Sequence, residues 1–235
     1  MSELFSIQLQ NQQQQGRDGV WLDLPTTTEQ VQAALRQIGI SSDNPQGLFI
    51  SGYFAEEEKR FAIPYNMVLA SNVDELNFLA SRLETLSTGE RAELNAALQA
   101  PQSELFSIGR ITDFPENVDY YVYLPDVHGP AQLGDYYLNR SGMVDMPEEW
   151  KGGIDTAQFG RYVAQQEQGA FTQYGYLVKS GDEWQKVHEG QPVPEEYRVL
   201  SFPAPEVLRD AANIPPPVQP ETEPQKVIPL SLIHI

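Results

Sequence analysis

The side chains of this sequence best suited to chemistry are its carboxylates, which are densest between residues 111 and 160. That stretch holds nine acids: Asp113, Glu116, Asp119, Asp126, Asp135, Asp145, Glu148, Glu149 and Asp155. Only Arg140 and Lys151 oppose them, leaving a local net charge of −7. Two carboxylates facing each other across a cleft could hydrolyse a glycosidic bond. Glu148 with Glu149, or Asp113 with Glu116, could be nominated, but 33 acids in one chain produce such pairs freely. A solvated face is the better reading. There is no G-x-S-x-G, no P-loop, no G-x-G-x-x-G and no EF-hand loop. The chain has no cysteine, and His128, His188 and His234 share no metal-binding spacing. His128 sits in a turn between Pro125 and Pro130 with no nucleophile near it in sequence. These residues do not point to an enzyme, and they call for no metal or cofactor.

The acids of 111–160 point instead to a surface. They occur singly or in pairs, interleaved with Phe114, Tyr120, Tyr121, Tyr123, Tyr136 and Tyr137. A disordered acidic segment would lack such aromatics. The expectation is a folded element with a core on one side and fixed negative charge on the other. The whole chain carries 15 bases and 33 acids, a formal charge of −18. That field repels nucleic acids and membrane surfaces and attracts basic clefts. Direct nucleic-acid binding is therefore not expected, whereas a partner that itself binds nucleic acid fits. Duplex DNA displays one phosphate charge per ~1.7 Å of axis, and carboxylates on rigid elements can imitate that row and recover the same counterion release. The plain alternative is acidity for solubility, and charge by itself favours it.

The elements that must hold these acids are legible in part. Phe5, Ile7 and Leu9 alternate with polar residues, and after the polar loop 11–19 the run 20–24 resumes as a second strand. Thr26 with Glu29 fits a capping box for a helix whose stripe is Val31, Ala34, Leu35 and Ile38, closed by Gly39. Residues 48–54 form a third strand. Residues 1–64 thus read as a small sheet carrying one helix. Residues 65–103 read as a helical unit. Asn72 with Glu75 starts one helix and Ser87 with Glu90 the next, forming an antiparallel pair. Asp74, Glu75, Glu84, Glu90 and Glu93 lie on the faces left free by the leucines. Residues 104–202 read as a mixed third unit. Strands are expected at 104–111, 118–124, 171–179, 184–189 and 197–202, and helices at 131–140 and 154–168. The tyrosines fit an amphipathic core with hydroxyls reaching water, or for some of them an interface. The string SELFSI recurs at 2–7 and 103–108, but its flanks share nothing and chance similarity is the simpler reading.

Eight prolines between 203 and 229 favour a disordered, partly polyproline tail over 203–235. Residues 230–235, LSLIHI, resemble a translated transposase mosaic end and are expected to be a sequencing artefact. No basic segment followed by an apolar run opens the chain, and no stretch approaches ~20 apolar residues. The expectation is a soluble, cytoplasmic protein.

Longer strings carry a resemblance. GVWLDLPTTTEQVQAALRQIGI, LFISGYF and NVDELNFLASRLETLSTGERAELNAAL occur in that order. They are followed by NVDYYVYLPD, LGDYYLNRSGMVDMPEEW, GIDTAQFG and GAFTQYGYL. Over about residues 5–202 this order resembles the ArdA-type antirestriction proteins. The resemblance implies an elongated α+β chain of three small domains, dimeric, that imitates bent B-form DNA. It implies that the partner is a Type I restriction–modification enzyme, whose methyltransferase core is blocked by occupation of its DNA groove. It also implies carriage on mobile elements such as conjugative transposons. The acids of the middle helices and of 113–155 would be the mimic charges. An acidic regulator that recruits a partner through its Pro-rich tail is the alternative.

Overall fold

A computed structural model describes residues 4–14, 18–41, 47–56 and 61–200. The Pro-rich segment, residues 230–235 and the last two positions of the strand expected at 197–202 lie outside them. The described part is a mixed α+β structure with two small sheets.

The first sheet has β1 (Phe5–Asn11) at its centre, flanked by β2 (Val20–Leu24) and β3 (Leu48–Phe54), all antiparallel. Alternation along β1 sends Phe5, Ile7 and Leu9 into the core. Helix α1 (Thr28–Gln37) lays Val31, Ala34 and Leu35 on that face. Its capping box uses Thr27 and Gln30 instead of Thr26 and Glu29. The side chain of Thr26 is instead buried and its N–H donates to Asn77 Oδ1 at 2.7 Å, tying the turn to the middle helices. Gly39 takes φ +70° past the end of α1, and the Ile40 N–H donates to the Leu35 carbonyl at 2.9 Å. That is the left-handed closure the sequence implied.

A short helix, α2 (Tyr65–Leu69), leads into α3 (Val73–Glu84) and α4 (Thr88–Gln99). Asn72 with Glu75, and Ser87 with Glu90, form complete capping boxes. Leu76, Leu79, Ala80 and Leu83 of α3 and Leu94 of α4 are fully buried. Helix α3 packs on β2 and on α5 (Ile108–Thr112), while α4 packs on β6 (Gly175–Lys179) of the second sheet. One buried cluster therefore runs from Leu4 through the middle helices to Leu177 and Val199.

The second sheet has the order β4-β6-β5, with β4 at Tyr121–Leu124 and β5 at Ala170–Thr172. The run expected as one strand at 171–179 is a hairpin of β5 and β6. Helix α6 (Pro130–Asp135) continues into a π turn, Tyr136–Arg140, then α7 (Glu148–Lys151) and α8 (Thr156–Glu167). Helices α6 and α8 cross at Gly134 and Gly160. A Cβ on Gly160 would lie 1.9 Å from the Pro130 carbonyl, and one on Gly134 would lie 1.9 Å from that of Thr156. Only glycine allows backbones this close.

Three of the expected strands do not form among the described residues. Residues 104–111 are not a strand: Ser107 accepts the Arg110 N–H, and Ile108 and Ile111 enter the core one helical turn apart on α5. Residues 184–189 and 197–200 form no strands either. Their backbone groups are held by distant side chains in place of a ladder. Asn117 Oδ1 accepts the Gln185 N–H, Asp113 accepts those of Val187, His188 and Glu189, and Asp74 accepts those of Val199 and Leu200. Backbone donors satisfied this way need no neighbouring strand.

Candidate partner-binding surface

The fourteen acids singled out in the sequence divide by what their carboxylates touch. Asp113 ends α5 with no exposed surface, and its oxygens accept three backbone N–H groups at 3.2, 2.6 and 3.2 Å. It presents no charge to a partner, because its lone pairs hold the 187–189 segment. Asp74, half-buried in the first turn of α3, accepts two N–H groups at 2.8 Å each. Glu75 and Glu90 close capping boxes, and Asp155 caps α8 through Ala157 and Gln158. Glu84 is half-exposed at the end of α3. Asp74, Glu75, Glu90 and Asp155 double as structure, since carboxylates at helix starts satisfy orphan N–H groups and face a favourable dipole.

Three exposed or half-exposed acids sit beside a base. Glu116 pairs with Arg82, Asp135 with Arg140 at 3.0 Å and Glu148 with Lys151 at 2.7 Å. Asp119, Asp126, Asp145 and Glu149 are exposed, and none of them forms an ion pair among the described residues. Asp119 lies in the turn before β4, and Asp126 just beyond the end of that strand.

The fold joins acids that are far apart in sequence. Glu93 of α4 lies near Glu90, one turn earlier, and near Asp119 of the third segment. Burial, and then these two like charges, push its carboxyl up to about 7 from 4.5. Its Oε1 is enclosed and meets no donor. Glu93 and Asp126 are both close enough to Tyr123 to add to the burial that raises its phenol. Glu90, Glu93, Asp119 and Asp126 thus make a negative edge that reaches from α4 to the ends of β4, across the sheet whose strand β6 packs on α4. Glu90 moves the other way: bonds from the Ser87 side chain and backbone hold its carboxyl below the usual range.

Most of the other described bases are engaged within the chain, while Arg36 and Arg161 are exposed and form no ion pair among the described residues. Arg110, nearly buried, pairs with Glu104 and Glu189 at 3.2 Å each and stacks on Phe106 and Trp184. Lys179 reaches Glu104 at 2.6 Å, and Lys186 reaches Glu189 at 3.5 Å. Arg91 and Arg198 donate to backbone carbonyls. Glu104 was not among the acids singled out, and its interest lies in gathering cations inward. The exposed doublets Asp182–Glu183 and Glu195–Glu196 were also passed over, although adjacent acids in a coil segment are plain in the sequence.

Most of the tyrosines are packed against their own chain. Tyr121 is buried, Tyr123 donates to the Tyr174 carbonyl, and Tyr137 and Tyr176 both donate to Glu167. The large apolar side chains left exposed on the described part of the third segment are Phe106, Val122, Met143, Trp150, Tyr162 and Val187. Two cavities, of about 690 and 670 Å³, lie beside α3 and behind β6 respectively. Their carboxylates already have partners: Glu75 in its cap and Glu189 with Arg110 in the first, Glu167 with two phenols in the second. Among the described residues no cluster of His, Cys, Asp or Glu is placed to hold a metal ion. Nor is any described helix long and apolar enough to cross a membrane.

This arrangement defines a class: an α+β scaffold that holds most of its described bases in contacts with its own chain and leaves an excess of carboxylates facing outward. The family model described as antirestriction protein (ArdA) matches residues 15–178, and the chain belongs to that family. It is a family of inhibitors, not of enzymes. No curated protein matches the chain. The match begins before β2 in the chain and ends within β6. The central strand β1 and the 187–200 segment held by Asp113 and Asp74 lie outside it.

Proposed function

We propose that the protein inhibits Type I restriction–modification enzymes by presenting carboxylates in place of DNA phosphates to the DNA groove of the methyltransferase core. Such a partner sets its work in the cytoplasm. The observation that carries this reading is the separation of charge. Six described bases, Arg82, Arg110, Arg140, Lys151, Lys179 and Lys186, are taken up by carboxylates of the same chain, while Asp119, Asp126, Asp145 and Glu149 stay exposed and outside any ion pair among the described residues. A groove lined with Lys and Arg meets the excess negative charge and releases its anions, as DNA phosphates would cause it to do.

The mimic set is the sequence set without Asp113. The edge of Glu90, Glu93, Asp119 and Asp126 is continued by Glu84 and Glu116, and by the Asp135, Asp145, Glu148, Glu149 and Asp155 run. Asp74 and Glu75 contribute from the start of α3. The segments 1–64, 65–103 and 104–202 act as three units of one elongated mimic, and two copies associate to lengthen it. Val122, Met143, Trp150 and Tyr162 offer apolar surface for an isologous contact.

Cleavage of unmodified plasmid by a purified Type I enzyme, with and without the protein, tests the reading. Wild-type protein should protect the plasmid. A variant carrying Lys at Glu116, Asp119, Asp126, Asp145, Glu148 and Glu149 should not. Equal protection by this folded variant would remove charge mimicry.

A further inference from the structure

The negative edge between α4 and β4 contains one carboxylate that the fold treats unlike its neighbours. Glu90 receives the Ser87 N–H at 2.7 Å at the start of α4, where the helix dipole also favours its charge. Three residues on, on the same face of the helix, Glu93 has its Oε1 enclosed with no donor in reach. The groups around it do not remedy this. Asp119, from the turn before β4, adds negative charge. The Tyr123 hydroxyl of β4 is donated to the Tyr174 carbonyl, and Asp126 lies beyond it. Arg91 of α4 is turned to the Leu86 carbonyl at 3.1 Å and to the Phe61 ring. Lys179 of β6, the strand packed on α4, is bound to Glu104 at 2.6 Å. A carboxylate so placed lowers its free energy either by taking a proton or by meeting a cation brought from outside.

We propose that Glu93 is a proton-linked residue of this surface: it holds a proton in the free protein and gives it up to the solvent when a cationic group arrives at the Glu90–Asp119–Asp126 edge. Complex formation then releases a fraction of a proton per chain, about half of one near neutral pH for a midpoint lowered by one pH unit, and binding tightens as pH rises from 6 to 8. The biological cation is the basic groove of the partner, and in that respect the inference rests on the function proposed above. The proton itself does not, because it belongs to the free chain.

The test is a carboxyl ¹³C NMR titration of the full chain from pH 4 to 9, with the Glu93 signal assigned by its loss in Glu93→Gln. It is repeated with pentalysine in excess. The expected midpoint in the free protein is about 7, falling by about one pH unit or more when the peptide is present. Proton release on binding, read by calorimetry in two buffers of different ionisation heat, should vanish in Glu93→Gln. A midpoint in the ordinary carboxylate range overturns the proposal, as does a midpoint near neutrality that pentalysine leaves unmoved. If both NMR results hold but a methyltransferase core does not bind, the mimicry reading fails and the proton-linked residue stands.

Discussion

At the scale of single residues, acids that look alike in the sequence are divided by burial into three kinds of work. Asp113 is a clamp whose carboxylate accepts three backbone N–H groups and reaches no solvent. Asp113→Ala leaves those donors unsatisfied and should cost roughly 3 kcal/mol in urea unfolding. Asp119 is exposed and unpaired, so Asp119→Lys should leave that unfolding curve unchanged and weaken plasmid protection only a few-fold. Abolition of protection by this one change would contradict a summed field. Glu93 is the third kind. Its carboxyl is raised from 4.5 to about 7, so the folded chain binds the proton more tightly than the unfolded chain does. The associated stability is complete below pH 4.5 and is lost as pH climbs to about 7. The unscreened cost of ionisation would be about 3 kcal/mol, which water at this partly exposed site reduces to about 1 kcal/mol. Glu93→Gln should therefore match wild type in Tm near pH 4.5 and exceed it at pH 8. A constant difference across that range would show that Glu93 does not titrate there. None of these distinctions is readable from composition, because each depends on which backbone the fold brings to the carboxylate.

At the scale of elements, legibility followed the locality of the signal. The alternation of Phe5, Ile7 and Leu9, the 3.6-residue stripe of α1 and the capping boxes at Asn72 and Ser87 are all written within a few residues. These elements appear where the sequence puts them. The strands expected at 104–111, 184–189 and 197–202 are absent among the described residues: Ser107 caps a helix inside the first, and the other two are held by Asn117 and Asp113, about seventy residues away, and by Asp74, 125 residues away. The α6–α8 crossing is also invisible locally. Two glycines that would weaken a lone helix are what let these helices touch. Gly160→Ala should raise helix propensity yet destabilise the protein by about 1–3 kcal/mol, from the clash with the Pro130 carbonyl. A neutral or stabilising result in thermal unfolding would mean that the helices separate freely. Because α7 and the Asp155 cap of α8 lie beside this crossing in the chain, the same substitution should also disturb the display of Glu148, Glu149 and Asp155.

At the scale of the molecule, the fold accounts for how a chain of −18 keeps its charge outward. Arg110, itself buried, pairs with Glu104 and Glu189 and stacks on Phe106 and Trp184, so this base adds to cohesion instead of neutralising the outward acids, whereas Arg82, Arg140 and Lys151 each offset one of them. The candidate surface was legible in outline, as a stretch of dispersed acids among aromatics. The junction of Glu90 and Glu93 with Asp119 and Asp126 was not, since it joins two segments expected to be separate units. Reversal of exposed acids should act cumulatively, with each added Lys lowering affinity by a similar factor as long as the sites are far apart. The most direct measurement is competition between the purified protein and duplex DNA for a Type I methyltransferase core at two salt concentrations. DNA mimicry predicts displacement of the duplex at low salt, with affinity falling steeply as salt rises, because each phosphate-like contact releases about one counterion. Failure to displace DNA at low salt, or displacement indifferent to salt, would contradict it.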